Sequence, residues 1–185
     1  MPTQTTFNLF RQLRFLALGL VVCASIIGCQ SDTQQKTPAF KVSELSGRVL
    51  SQEDLKGKVS IINFWATSCT TCVKEMPTMI ETYKKYKSDQ LEFIAIAMAY
   101  DPPMYVVNFA KTRQLPFQVA MDSDGSVAKA FGKIQLTPTT LVINKNGKII
   151  KRYVGEPDWD EFHQLLEKSL AEKGLPAFRV FAFFA

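Results

Sequence analysis

The apolar positions of this chain fall into runs whose period changes from one segment to the next. Val59 to Ala66, "VSIINFWA", is a continuous apolar, β-rich run, and Leu91 to Ala99, "LEFIAIAMA", is a second. Runs of this kind read as central strands covered on both faces. Between them the period lengthens. Cys72, Met76, Met79, Ile80 and Tyr83 share one helical face, with Lys74, Glu81, Lys84 and Lys85 away from it. Pro77 falls inside that helix, cannot donate to the Val73 carbonyl, and predicts a kink.

The remaining segments complete an alternating pattern. "FKVSELSGRVLSQEDLKGK" predicts two short strands around Ser46-Gly47 and a helical turn near Gln52 to Leu55. "PPMYVVNFAKTRQ" predicts a helix opened by prolines, "FQVAMD" a short extended piece, and "DGSVAKAFG" a short helix closed by Gly132. "TPTTLVINKNGKIIKRYVG" predicts a hairpin about a type I′ turn at Asn146-Gly147. A last helix is expected from Pro157 to Lys173, with Trp159, Phe162, Leu166 and Leu170 on one stripe and Gly174 ending it. The order is β, α, β, α, β, α, β-hairpin, α, with no internal repeat: an α/β domain.

The two ends of the chain differ from this domain. Arg11 and Arg14 precede an apolar stretch, Phe15 to Gly28, which is the layout of a secretory signal and is too short to cross a bilayer as a helix. "IIGC", Ile26 to Cys29, resembles the bacterial lipobox, with Ile26 where Leu is more usual. That resemblance implies that residues 1–28 are removed and that Cys29 carries lipid; an uncleaved signal anchor is the alternative. Either way the domain is expected outside the cytoplasm, on the periplasmic side or outer cell surface, tethered to a membrane. Residues 29–38 are polar and aperiodic and read as a tether, 39–174 as the domain, and 175–185, "LPAFRVFAFFA", as an apolar tail. Four phenylalanines in that tail are too many for a free end in water. They pack on the domain, or they meet a partner or the membrane.

A chain of 185 residues can bury a core without disulfides, and 46% hydrophobic with 21% charged residues is an ordinary globular balance. The net charge of +5 is mild and partly in the leader, and no basic tract interleaved with aromatics points to nucleic acid. With Cys23 in the leader and Cys29 acylated, Cys69 and Cys72 remain as thiols in a compartment where disulfides form. A bridge over so short a loop removes little chain entropy, so a structural staple is a poor reading. A zinc site needs four ligands, and the chain adds only His163, distant in sequence and close to the apolar stripe of the last helix. A redox role fits better. Cys69 stands where a strand yields to a helix, so unpaired N–H groups and the helix dipole favour its thiolate, the nucleophile of disulfide exchange. Cys72, one turn inside, is placed to resolve the mixed disulfide, and no cofactor is called for.

"FWATSCTTCVKEMP", "TPTTLVINKNGKI" and the element order together resemble the thioredoxin superfamily, and within it the exported TlpA/ResA/CcmG branch of thiol–disulfide oxidoreductases, from about Phe40 to Lys173. The resemblance implies a thioredoxin-like α/β fold: a central mixed β-sheet flanked by helices, with an N-terminal β-hairpin and a βα insertion. It implies a redox-active Cys69–Cys72 disulfide. It makes Pro138 the cis-proline that faces the cysteines, Thr137 a source of backbone groups for a substrate strand, and Trp65 a substrate-side cover of the thiols. Asn63 takes the place of a buried aspartate of cytoplasmic thioredoxins, and Glu75 matches a carboxylate near the thiols. Ser68 departs from the usual Trp before the first cysteine and leaves Cys69 more open.

Two threonines between the cysteines bring no positive charge, so a comparatively reducing pair is expected, with disulfide-forming oxidant as the alternative. A reductant outside the cytoplasm implies a DsbD/CcdA-like membrane electron donor. Its clients would be proteins with disulfides or cysteines, such as apocytochrome c or copper-site proteins. A peroxidase site lacks its upstream Pro-x-x-x-Thr pattern. A Sco-like copper chaperone would draw on Met76, Met79, Met98 and Met104, and a non-catalytic scaffold would have no use for Cys69, Cys72 and Pro138.

Overall fold

The computed structural model of the protein describes residues 35–173. The leader, Cys29, Gly174 and the apolar tail lie outside the described residues. The strands are β1 (Lys41–Glu44), β2 (Val49–Ser51), β3 (Val59–Trp65), β4 (Leu91–Ala97), β5 (Gln118–Met121), β6 (Thr139–Ile143) and β7 (Ile149–Val154). The helices are α1 (Thr70–Tyr86), α2 (Pro103–Arg113), α3 (Ser126–Ala130) and α4 (Trp159–Ala171), with a 3-10 turn at Gln52–Leu55. All seven strands form one mixed sheet in the order β2-β1-β5-β4-β3-β6-β7. β3 runs parallel to β4 and antiparallel to β6, with Phe64 opposite Thr139 and Asn63 opposite Thr140.

The two continuous apolar runs become β3 and β4, every residue of which is buried. Alternation splits them between two cores. Val59, Ile61 and Trp65 face the layer made by α1, α2 and α4, where Met76, Met79, Val106, Phe162 and Leu166 complete the packing. Ile62, Phe64, Ile94 and Ile96 face the other way, onto Leu55, Val127 and Phe131. Helices on both faces are what permit the apolar run to be unbroken.

Local chemistry sets the ends. Asp158 caps α4 by accepting from the Glu161 N–H at 3.0 Å, so the helix starts later than the pattern predicted. α1 is one continuous element through Pro77. The hairpin differs from the expected type I′ turn. The Gly147 N–H donates to the Asn144 carbonyl at 2.9 Å and the Asn144 N–H to Lys148 at 2.9 Å, so Lys145, Asn146 and Gly147 form a three-residue loop. Only Gly147 of the three has positive φ, at 72°. This is a type I turn closed by a left-handed glycine, the next most common hairpin solution.

Part of the segment expected as a tether is docked. The Thr37 N–H and Oγ1 both donate to the Gly147 carbonyl at 2.9 Å, and the Ile149 N–H donates to Gln35 at 2.8 Å. Residues 35–37 thus lie along the start of edge strand β7.

Gly147→Ala tests the turn. A Cβ there would meet nothing within 4 Å, so the cost is the left-handed backbone alone, about 1–2 kcal/mol. Chemical denaturation should show that loss with thiol reactivity unaltered; an unchanged midpoint would refute the turn assignment.

Candidate active site

Cys69 is the N-cap of α1, with extended backbone (φ −85°, ψ 104°), and its sulfur accepts from the Cys72 N–H at 3.1 Å. The cap follows from the loop before it: Cys69 N–H is bonded to the Ala66 carbonyl at 3.1 Å, and its own carbonyl starts the helix by accepting from Val73. The sulfur therefore occupies the position usually held by a Ser or Asp oxygen, at the positive end of a 17-residue helix. Cys69 and Cys72 are joined as a disulfide. Cys69 is half-buried and Cys72 fully buried, which sets the first as the sulfur a partner reaches and the second as the one that closes the ring.

One turn further along α1, Glu75 is buried at 1% exposure on the same face as Cys72. Side chains three apart on a helix are neighbours and lean toward the N-terminus, which brings this carboxyl toward the thiol pair. Asn63 Nδ2 donates to Glu75 Oε1 at 3.2 Å and to Thr140 Oγ1 at 2.9 Å, tying β3, β6 and α1 together beneath the cysteines. Glu75 Oε2 is buried with no hydrogen-bond partner among the described residues. Burial pushes the Glu75 carboxyl up to about 7, aided by the Glu156 charge and opposed by the Asn63 hydrogen bond. The partnerless oxygen leaves the ionised form poorly solvated, which is the cost that raises the pKa.

The Thr137-Pro138 peptide is cis, as the resemblance implied. Register puts it beside the cysteines: Phe64 pairs with Thr139, so Pro138 stands level with Trp65 at the end of β3 that leads to Cys69. The Pro138 carbonyl accepts from Gly155, whereas the Thr137 backbone makes no hydrogen bond among the described residues. Trp65 requires a correction. It is fully buried, its ring 5.1 Å from that of Phe109, so it offers no face to a substrate and supports the site from below. The four methionines do not converge. Met76 and Met79 belong to one core, Met98 to the core on the opposite face of the sheet, and Met104 is exposed. His163 lies 2.9 Å from Thr82 Oγ1 at the α1–α4 contact, where burial lowers its pKa.

Comparison with known proteins agrees with this geometry. The Redoxin family model matches residues 32–170. A thiol–disulfide oxidoreductase ResA of Bacillus thuringiensis is 40% identical over 134 residues, 72% of this chain and 76% of that protein. The ResA of Bacillus subtilis is 33% identical over 141 residues, 75% of this chain and 78% of its own. The crystal structure of a thiol:disulfide interchange protein of the thioredoxin family from Chlorobium tepidum superposes with a TM-score of 0.68 at 29% identity, covering 76% of this chain and 99% of that one. The chain belongs to the Redoxin family, as a ResA-like thiol–disulfide oxidoreductase. Its fold is thioredoxin-like.

In this ResA-like protein two further residues shape the site that pattern reading did not find. Asp101, 2% exposed, accepts from the Thr67 N–H and from Thr67 Oγ1, both at 2.6 Å, and so fixes the loop two residues before Cys69. Tyr100 beside it reaches Thr137 Oγ1 at 3.2 Å. An Asp at the mouth of a parallel strand, followed by two prolines, was the signal available for Asp101. Thr140, the other partner of Asn63, carries no such signal, because its role depends on the β3–β6 register.

Glu75 makes stability depend on pH in a stated direction. The folded protein holds a proton that the unfolded chain releases between its ordinary 4.5 and about 7. Stability therefore falls as pH rises through that window, by roughly 3 kcal/mol once complete. Glu75→Gln should remove that loss. Denaturation of the disulfide forms at about pH 5 and about pH 8 should show the variant gaining on the parent only at the higher pH. An equal gap at both would mean that the carboxyl is not the titrating group.

Proposed function

We propose that this oxidoreductase works outside the cytoplasm, tethered to a membrane through lipid on Cys29, and reduces disulfides of client proteins. The observation that carries the direction is the buried Glu75 carboxyl one turn from Cys72, with uncharged Thr70 and Thr71 between the cysteines. Strong oxidants owe their potential to a reduced form stabilised as thiolate. A carboxyl beside the pair opposes a second negative charge there, so the disulfide is the favoured form and electrons leave readily.

The exchange then runs in two steps. The Cys69 thiolate attacks a client disulfide, one client sulfur leaves as thiolate and takes a proton, and a Cys69–client disulfide forms. Cys72 gives up its proton, which Glu75 can accept near neutral pH, and attacks the Cys69 sulfur. The second client thiol is released and the protein disulfide remains, two electrons having passed to the client. The unpaired Thr137 backbone, next to Pro138, can hold the client segment extended by strand addition. Renewal of the dithiol calls for a membrane electron donor of the DsbD/CcdA kind. The resemblance to ResA-like proteins favours clients in cytochrome c maturation or metal-site assembly. The leader and "IIGC" support export and the lipid anchor.

Capture tests the reading. With Cys72→Ser the first mixed disulfide cannot be resolved, so clients should stay joined to Cys69 and be released by dithiothreitol; no adduct would count against protein clients. The measured potential should lie nearer −270 mV than −120 mV, and a value above about −180 mV would reverse the direction. Labelled palmitate should enter the parent chain and not Cys29→Ser.

A further inference from the structure

The end of the sheet that carries Cys69 also carries most of the exposed apolar side chains. Among the described residues seven large ones are exposed. Five of them, Tyr100, Met104, Tyr105, Leu136 and Val154, stand at that end, while Leu45 and Val49 belong to the N-terminal hairpin at the far edge. The patch is continuous with the exchange site. Tyr105 lines an open groove with Thr67, two residues before Cys69, and Leu136 adjoins Thr137.

Within that patch Tyr100 is placed unlike the rest. Its side chain is 59% exposed, yet its hydroxyl lies 3.2 Å from Thr137 Oγ1. Tyr100 follows β4 and Thr137 precedes β6, with β3 between them, so the two residues together bridge two strand spacings, roughly 10 Å across the sheet. The ring thus straps the chain that leads from Trp65 to Cys69, beside the unpaired Thr137 backbone. Its base is held firmly. The Asp101 N–H donates to Met98 at 2.9 Å, the Asp101 carboxylate holds Thr67, and Pro102 and Pro103 follow. The strap itself is one neutral hydrogen bond open to water, the kind that yields easily. The side chain can therefore move while the backbone under it does not.

We propose that Tyr100 is a specificity-determining residue for clients: it covers Thr137 in the free protein, and on binding swings from Thr137 to clamp an apolar client side chain against Leu136. The occupant is an extended client segment with an aromatic or large aliphatic residue two positions from its cysteine. The period of an extended chain turns that residue to the same face as the cysteine, which must meet Cys69. The exposed faces of Tyr100 and Leu136 then gain an apolar partner that they lack among the described residues. This inference rests on the reading that Cys69 attacks client disulfides.

The test uses the full chain with its dithiol reduced, and two peptide dimers each joined by one disulfide. One peptide carries Phe at both positions two removed from its Cys; the other carries Ser there. The parent protein should reduce the Phe peptide about five- to tenfold faster, the scale of one well-made aromatic contact. Tyr100→Ala should bring the ratio near one. Tyr100→Phe, which keeps the ring and loses the strap, should keep the ratio and lower KM for both peptides. A merely structural role would slow both peptides alike and leave the ratio unmoved. A parent protein that does not discriminate, or an undiminished ratio in Tyr100→Ala, would overturn the assignment of Tyr100 while leaving the exchange reading intact. Failure of the parent protein to reduce either peptide, or glutathione disulfide, would overturn the exchange reading and this assignment with it.

Discussion

The hydrogen bond from the Cys72 backbone to the Cys69 sulfur is the contact on which the chemistry turns. A helix beginning at the end of a buried strand leaves several N–H groups without partners, and something must accept from them. Here the acceptor is a sulfur. The cap that starts α1 and the nucleophile of the reaction are one atom, so the energy that orders the helix also favours the anionic form of that atom. The long apolar β3 holds this junction in place, and its burial on both faces leaves the strand no freedom to shift.

Around that atom the polar groups are few and each has a defined task. Asn63 links Glu75 to Thr140, so one side-chain amide on β3 joins a carboxyl on α1 to a hydroxyl on β6. Asp101 fixes the approach to Cys69 from β4. A carboxyl on each side of the exchange loop is thus buried for a different purpose. Asp101 has both oxygens engaged and serves as a brace. Glu75 leaves one oxygen without a partner and can carry a proton.

Much of this was legible in the chain. The continuous runs at Val59 and Leu91 announced central strands, and the change of period after Cys69 announced a helix starting at a cysteine. The cis peptide at Pro138 came from resemblance and was found in the structure. What was not legible depended on contacts between segments far apart. Tyr100 and Thr137 meet only because β4 and β6 flank β3. Trp65 was given a substrate-side place by the resemblance. Its parity with Ile61 and Asn63 turns it into the core instead. The Asn146-Gly147 pair suggested a mirror-image turn, but backbone bonding from Asn144 spread the loop over three residues and left only the glycine left-handed.

The docking of Gln35–Thr37 on Gly147–Ile149 fixes where the polypeptide enters the folded body. The β6–β7 turn lies at the pole remote from Cys69, because β6 runs opposite to β3. Residues 35–37 and Cys69 therefore occupy opposite ends of the sheet. A partner can engage the sulfur without displacing the N-terminal residues that are bonded along the start of β7.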